Sequence, residues 1–208
     1  MMQIFDTLNN KKTELKFSDK VRIYLCGVTV YDDAHIGHAR TIIVFDVLRR
    51  FLESQKIPVE FIQNFTDVDD KIIDRASKEN RSARQLAEEY TKNYFTEFDG
   101  LNIKRATIYP KATEHIEDMQ NLIANLIDKK YAYITKNGVY FSVSKFTEYG
   151  KLSKKNPDDL VSGARVDIDE EKDNPIDFAL WKFSDDKEMS WESPWGKGRP
   201  GWHIECSA

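Results

Sequence analysis

Residues 21–38, VRIYLCGVTVYDDAHIGH, open the stretch that decides the fold. Val21–Leu25 is a β-branched and aromatic run, typical of a strand, and it ends at Cys26-Gly27. After a polar loop, apolar residues recur at helical spacing and predict a helix: Ile43, Val44, Val47, Leu48, Phe51 and Leu52. Pro58 then precedes a second strand-like run, Val59–Phe65. A strand, a helix and a strand within about 45 residues predict a βαβ unit, whose strands are parallel.

The loops that follow the two strands are where a ligand is expected, because open α/β sheets bind ligands at the carboxyl ends of their strands. The first loop contains His35-Ile-Gly-His38 just before the helix. Unpaired N–H groups at a helix start attract phosphate, and Gly37 lets a ligand approach the backbone. Two imidazoles there can donate to charge that develops on phosphate oxygens. Two other interpretations stay open: one histidine caps the helix while the other packs, or both bind a metal.

Two further helices and a hairpin are predicted downstream. Ser82 and Gln85 have the spacing of a capping box at a helix start. A second apolar stripe indicates a helix over about residues 113–130. Asn137-Gly138 lies between two strand-like runs, which is a strong hairpin signal. Lys151–Asn174 is polar and charged and is predicted to be a long surface excursion.

The composition excludes several classes of protein. The 208 residues are 40% hydrophobic and 12% aromatic, enough for a packed core, so wholesale disorder is excluded. The net charge of −4 gives no overall basic field, although a local nucleic-acid patch stays compatible with it. There is no apolar run of membrane-spanning length and no signal-peptide core, which predicts a cytoplasmic protein. Two cysteines are too few for a disulfide framework.

Four blocks of sequence together resemble one family. They are YLCGVTVYDDAHIGHAR at 24–40, NFTDVDDKII at 64–73, NPIDFALWK at 174–182 and GRPGWHIECS at 198–207. HIGH after a strand is the first signature of the class I aminoacyl-tRNA synthetases. The four blocks, in this order and across nearly the whole chain, resemble the cysteinyl-tRNA synthetases.

The resemblance implies an α/β fold. Residues 1–96 would form the first part of a Rossmann-like, parallel-sheet nucleotide-binding domain. Residues 97–175 would be an α+β connective insertion, and residues 176–208 would return to the catalytic domain. Because the amphipathic end of the chain resembles the opening of an element, we expect the chain to be an N-terminal portion of a longer protein that is inactive alone.

The resemblance also implies a zinc ion and an ATP site. Cys26 and Cys206 correspond to two zinc ligands of the family, whose other two ligands, a His and a Glu, are expected beyond residue 208. From the residues alone, two cysteines so far apart in the sequence would be ordinary buried thiols, and it is the flanking blocks that favour zinc ligands. His35, Gly37 and His38 correspond to the ATP site, with Mg²⁺ accompanying ATP, and His35 and His38 are the predicted catalytic residues.

Four further residues correspond to positions that line the family's cysteine pocket: Gly27, Thr29, Thr66 and Trp202. Two of them have other interpretations: Thr66, with Asp69 three residues later, could cap the next helix, and Trp202 could belong to the core. The acidic residues Asp67, Asp69 and Asp70 resemble a metal cluster, but acids in the first turn of a helix need no metal.

The function implied is the ATP-dependent ligation of L-cysteine to its tRNA through cysteinyl-adenylate, by an enzyme expected to be a monomer. Lys151–Lys155 superficially resembles the second class I signature, KMSKS, but it precedes the GWHIECS block and is rejected. One alternative is a cysteine ligase of the mycothiol type, which shares the zinc pocket and HIGH but acylates an amino-sugar. The other is a binding fragment without activity.

Overall fold

The computed structural model describes residues 2–17, 19–154, 171–185 and 189–208. It contains four α-helices: α1 (Ile36–Ser54), α2 (Asp70–Lys78), α3 (Ala83–Gly100) and α4 (Ile116–Asp128). It contains eight strands: β1 (Gln3–Asp6), β2 (Lys11–Glu14), β3 (Val21–Thr29), β4 (Val59–Thr66), β5 (Ala132–Ile134), β6 (Gly138–Phe141), β7 (Phe178–Phe183) and β8 (Gly198–Pro200). Short 3₁₀ turns lie at Ala112–Glu114 and Val143–Lys145.

The predicted βαβ unit is confirmed. Strands β3 and β4 are parallel, with paired residues from Val21↔Val59 to Thr29↔Thr66, and α1 connects them. The backbone of residues 107–111 runs parallel to the other edge of β4, where Phe65 donates its N–H to the carbonyl of Pro110 at 2.8 Å. The strand-like runs and the helical spacing were sufficient to predict this unit, because its elements are consecutive along the chain.

The core of this unit is aromatic. Phe65 is buried and packs edge-on against Tyr94 and Phe95 of α3, with ring centroids 5.0 and 5.5 Å apart. Tyr109 stacks on Phe65 with ring centroids 5.3 Å apart. The Tyr94 hydroxyl donates to the buried amide oxygen of Gln63 at 2.9 Å. This cluster holds α3 against β4 and thereby fixes the end of β4, where the site lies.

The predicted helices and hairpin are also confirmed. Ser82 caps α3 by accepting from the Gln85 N–H at 3.4 Å. The helix predicted over 113–130 occupies Ile116–Asp128, because residues 112–114 form a 3₁₀ turn before it. Gly138, with φ of 155°, begins β6 after the turn from β5.

A second, antiparallel sheet has the order β5-β6-β7-β8. Its strands β7 and β8 come from the NPIDFALWK and GRPGWHIECS blocks, so the sheet spans both sides of the domain limit expected at residue 176. Trp181 is fully buried in it, and its indole donates to the Gly196 carbonyl at 3.2 Å. In the part of the chain that is described, no helix has the length and apolar content needed to cross a bilayer.

Candidate functional site

The carboxyl ends of β3 and β4 form the floor of the site. Thr29 and Thr66, both predicted pocket residues, are paired directly in the ladder. Between Leu25 and Val28 the register shifts, so β3 bulges at Cys26 and Gly27. A Cβ on Gly27 would lie 1.5 Å from the Asn64 carbonyl oxygen. Only glycine allows the bulge to lie so close to β4, and bulges commonly re-aim side chains at functional sites.

The bulge brings the two cysteines together. The sulfur atoms of Cys26 and Cys206 are 3.3 Å apart although the residues are 180 positions apart in the chain. A hydrogen bond from the Cys26 thiol, assisted by the Tyr24 hydroxyl, lowers the pKa of Cys206 to about 6, although burial acts in the opposite direction. The same hydrogen bond, together with burial, raises the pKa of Cys26. The pair thus favours one thiolate and one thiol near neutral pH.

Two soft sulfur donors at this spacing can share one metal ion, because zinc prefers thiolate ligands. Within residues 2–17, 19–154, 171–185 and 189–208, no group of three or more His, Cys, Asp or Glu side chains is arranged to hold a metal. The described residues therefore bring together two donors of a set that normally has four.

Asn64 anchors the bulge from the neighbouring strand. Its side-chain oxygen accepts from the Gly27 N–H at 2.7 Å and from the Tyr24 hydroxyl at 3.0 Å. Its amide nitrogen is buried and has no partner. Burial, followed by the nearby Cys206, raises the pKa of Tyr24, so its hydroxyl stays protonated. Asn64 thus fixes the backbone that carries Cys26.

Thr66 is buried, with 2% of its surface exposed, and its hydroxyl donates to Glu205 Oε1 at 2.6 Å. It does not cap α2, because that role belongs to Asp69, whose carboxylate accepts from the Lys71 N–H at 2.9 Å. Burial raises the pKa of Glu205 to about 8, and its Oε2 has no partner. The Thr66–Glu205 bond ties the end of β4 to the segment that carries Cys206.

The two histidines of the HIGH sequence are held by the start of α1. His35 caps the helix, and its Nδ1 accepts from the Gly37 N–H at 3.1 Å. His38 Nδ1 accepts from the His35 N–H at 3.3 Å, and the two rings stack with centroids 3.9 Å apart. A Cβ on Gly37 would lie 2.8 Å from the His35 ring, so the glycine makes room for this cap. The capping interpretation is therefore confirmed for His35.

This geometry determines which ring nitrogens are left to bind a ligand. In a neutral imidazole whose Nδ1 accepts a hydrogen bond, the proton is on Nε2. Burial, and then the proximity of His35, lower the pKa of His38, so His38 is neutral at pH 7. Each Nε2–H remains as a donor for an anion at the helix start.

Trp202 and the segment Lys151–Lys155 were also singled out from the sequence. Trp202 is 61% exposed and lies against His203, with ring centroids 5.0 Å apart, so it is not a core residue. Lys151–Lys154 form a surface turn in which Lys154 donates to the Leu8 carbonyl at 2.6 Å, and Lys155 is outside the described residues.

The three aspartates do not form one cluster. Asp67 accepts from the Thr113 N–H at 2.9 Å and from its hydroxyl at 2.6 Å. Asp70 binds Lys182 of β7 and Arg199 of β8, each at 2.5 Å. With Asp69 capping α2, each carboxylate has its own structural partner within the described residues.

Sequence reasoning missed Tyr24, Asn64 and Glu205 as parts of the site. A signal was present for Asn64, because residues two apart in a strand share a face and Asn64 precedes Thr66 by two. Glu205 had no comparable signal, since its contact with Thr66 spans 139 positions.

Comparisons with known proteins agree with this geometry. Residues 12–208 match the family described as tRNA synthetases class I (C) catalytic domain. The chain is 58% identical, over 100% of its length, to a cysteine–tRNA ligase of Thermodesulfovibrio yellowstonii. It is 55% identical over 99% of its length to one of Caldicellulosiruptor saccharolyticus, and 50% identical over 100% to one of Aquifex aeolicus. The matches cover 44%, 45% and 42% of those relatives, so the chain spans less than half their length.

Proposed function

Because this chain belongs to the class I (C) tRNA synthetase catalytic-domain family, we propose that the protein joins L-cysteine to tRNA at the expense of ATP. The observation that carries this proposal is the pair of thiols, 3.3 Å apart, at the bulge of β3, the strand that precedes the capped HIGH helix. The names of the relatives favour this reaction over acylation of an amino-sugar.

We propose two steps. The carboxylate of cysteine attacks the α-phosphate of Mg²⁺-bound ATP in line, which gives cysteinyl-adenylate and releases pyrophosphate. The 3′ end of the tRNA then takes the cysteinyl group and releases AMP. Such phosphoryl chemistry needs mainly positioning of the reactants and stabilisation of charge.

The histidines supply that stabilisation. The Nε2–H groups of His35 and His38 donate to the phosphate oxygens of ATP, at the positive end of the α1 dipole. Both rings are oriented before ATP arrives, because their Nδ1 atoms already accept backbone N–H groups. A preoriented donor of this kind typically contributes about 10²–10³ in rate.

Cysteine lies over the bulge of β3. Gly27 and Thr29 provide the backbone edge, and Trp202 closes the open side. Thr66 supports the floor through its bond to Glu205. Zinc, when bound by Cys26 and Cys206, supplies a preference for thiolate over hydroxyl that pocket size alone cannot give.

The proposed domain organisation follows the family. The parallel pair β3–β4 with α1 is the first half of a Rossmann-like nucleotide-binding domain within residues 1–96, residues 97–175 are the insertion, and residues 176–208 rejoin the catalytic domain. The enzyme is a cytoplasmic monomer in this proposal.

The experiment is cysteine-dependent exchange of pyrophosphate with ATP by the full-length gene product, followed by charging of tRNA. We expect both activities, and His38→Ala should lower the exchange rate by about 10²–10³ while ATP affinity changes much less. Exchange with transfer of cysteine to an amino-sugar and not to tRNA would support the mycothiol-type ligase. Binding of cysteine without any exchange would indicate a binding protein.

A further inference from the structure

The loop between β3 and α1 is held by side chains of α3. Its residues Asp33 and Ala34 lie immediately before His35, which caps α1. Asn93 donates from its side-chain amide to Asp33 Oδ1 at 2.9 Å. The Ala34 N–H donates to Glu97 Oε2 at 3.1 Å. Positions 93 and 97 are four residues apart on one helix, so both contacts come from the same face of α3.

A third contact reaches the same loop from α2. Arg75 Nη1 lies 2.9 Å from Asp32 Oδ2, and the same guanidinium donates to the Tyr90 hydroxyl of α3 at 2.9 Å. The three successive loop residues 32–34 are thus connected to α2 and α3. The carboxylates at this place accept from protein donors, and their negative charge would repel the phosphates of ATP. Their contacts therefore favour a role in holding the loop over a role in binding the nucleotide.

We propose that Glu97 is a positioning residue for the two histidines of the HIGH sequence, supported by Asn93 and Arg75; this inference rests on the proposed function. The N–H groups of Ala34 and His35 belong to successive peptide groups. The first donates to Glu97, and the second donates to His38 Nδ1 at 3.3 Å. When the first peptide group is released, the second can turn, and His38 loses the donor that orients its ring.

Glu97 lies on a packed helix, which makes it suitable for this role. Its helix neighbours Tyr94 and Phe98 are 3% and 4% exposed, and Tyr94 packs against Phe65 of β4 with ring centroids 5.0 Å apart. A side chain on a packed helix holds a site more precisely than one on a loop. Helix α3 therefore fixes the end of β4 and the loop before the HIGH sequence relative to each other.

A carboxylate near an ATP site has a second common use, which is to bind Mg²⁺. Within the described ranges, no group of three or more His, Cys, Asp or Glu side chains is arranged to hold a metal, and Glu97 Oε2 already accepts from a backbone N–H. The two roles differ in what glutamine can do at position 97. An amide oxygen still accepts from the Ala34 N–H, whereas the negative charge that attracts Mg²⁺ is lost.

The test measures cysteine-dependent exchange of pyrophosphate with ATP by the full-length gene product. Glu97→Ala should lower kcat by roughly 10- to 100-fold, with a much smaller change in the KM for ATP, because misplaced groups slow the chemical step. Glu97→Gln should restore most of the rate. Glu88→Ala, at an exposed position of the same helix, is the control and should match the wild type.

A double variant separates positioning from a loss of folded protein. If Glu97 acts through His38, then Glu97→Ala should lower the rate of the His38→Ala enzyme much less than it lowers the wild-type rate. Multiplication of the two separate effects would overturn the proposal. A loss of activity in Glu97→Ala that matches its loss of folded protein, measured by urea unfolding, would overturn it as well. A glutamine variant as slow as the alanine variant would also overturn it and would indicate Mg²⁺ binding.

A second measurement needs neither ATP nor cysteine. Nitrogen NMR of histidine-labelled protein, with His38→Ala to assign the signals, shows which ring nitrogen of His38 carries the proton. We expect Nε2–H in the wild type and in Glu97→Gln, and a mixture of both tautomers in Glu97→Ala. The same single tautomer in all three proteins would overturn the proposal. A wild type without exchange activity would refute the proposed function, while the NMR result still decides whether Glu97 orients His38.

Discussion

Cys26 illustrates how one side chain determines selectivity in the proposed enzyme. Cys26 lies in the bulge of β3 with its sulfur beside that of Cys206, and the paired Thr29 and Thr66 follow at the end of the same two strands. Cysteine and serine differ by one atom, and a pocket that separates them by size alone provides only about 1–3 kcal/mol. In the proposed function, the soft donor set at this point is therefore the basis of discrimination.

We predict that Cys26→Ser in the full-length gene product abolishes the preference for cysteine over serine. A hydroxyl is a poor zinc ligand at neutral pH, so the variant should hold metal loosely or lose it. Pyrophosphate exchange with each amino acid, on wild type and variant, measures the ratio. Cys206→Ser is the matched control and should behave alike. A variant that keeps the wild-type ratio would assign specificity to Thr66 and Trp202 instead.

Gly27 is a second residue whose role is local and steric. We predict that Gly27→Ala destabilises the protein by about 1–3 kcal/mol or more, because the new Cβ would lie 1.5 Å from the Asn64 carbonyl oxygen, which belongs to the β4 backbone. Thermal or urea unfolding measures this change. Gly100→Ala is the control, because a Cβ at that helical position meets nothing within 4 Å. Equal stability of both variants would show that the bulge relaxes freely.

At the scale of elements, Asp70 connects α2 to the antiparallel sheet. Burial acts to raise its pKa, but the hydrogen bonds and charges of Lys182 and Arg199 outweigh burial and lower it below the ordinary value of 3.8. A lowered folded-state pKa means that the ion pairs stabilise the protein above the unfolded pKa. This contribution is lost as the pH falls through the folded pKa.

We predict that Asp70→Asn lowers the stability at pH 7 by about 0.2–1 kcal/mol per ion pair, because these groups are partly exposed. The difference from wild type should begin to narrow below the unfolded-state pKa of about 3.9 and should vanish once the pH lies below the lowered folded-state pKa. Urea unfolding at pH 7 and at low pH measures the difference in the free energy of unfolding between the wild type and the variant. Asp74→Asn, an exposed carboxylate on the same helix, is the control and should show a smaller effect. A difference that grows at low pH would contradict the ion-pair account.

At the scale of the whole molecule, the described chain assembles two metal donors. We predict that the 208-residue protein does not retain stoichiometric zinc after dialysis, because two thiolates are half of a usual structural or catalytic set. Metal analysis of the dialysed protein measures this. One tightly bound zinc per chain, lost in Cys26→Ser, would show that other residues complete the site.

The elements that could be predicted from sequence are those with local signals. The parallel pair follows from three consecutive signals: the run Val21–Leu25, the apolar stripe of α1 and the run Val59–Phe65. The helix between the two strands returns the chain to the end of the sheet where the first strand began, so the second strand runs in the same direction. Asn137-Gly138 likewise determines its own hairpin. The N-terminal hairpin β1–β2 was not predicted, although Asn10, with φ of 53°, marks its turn.

The site itself depended on contacts between distant parts of the chain. Sequence alone placed His35 and His38 at a helix start, since four consecutive residues settle that geometry. Local propensity could not bring Cys206 to Cys26, which only the family resemblance implied, or Glu205 to Thr66, because it carries no information about partners 180 or 139 positions away. These contacts depend on the way β7 and β8 join the antiparallel sheet and on the ion pairs through which Asp70 connects that sheet to α2. The residues determined which chemistry is available, and the tertiary packing decided which of them share one site.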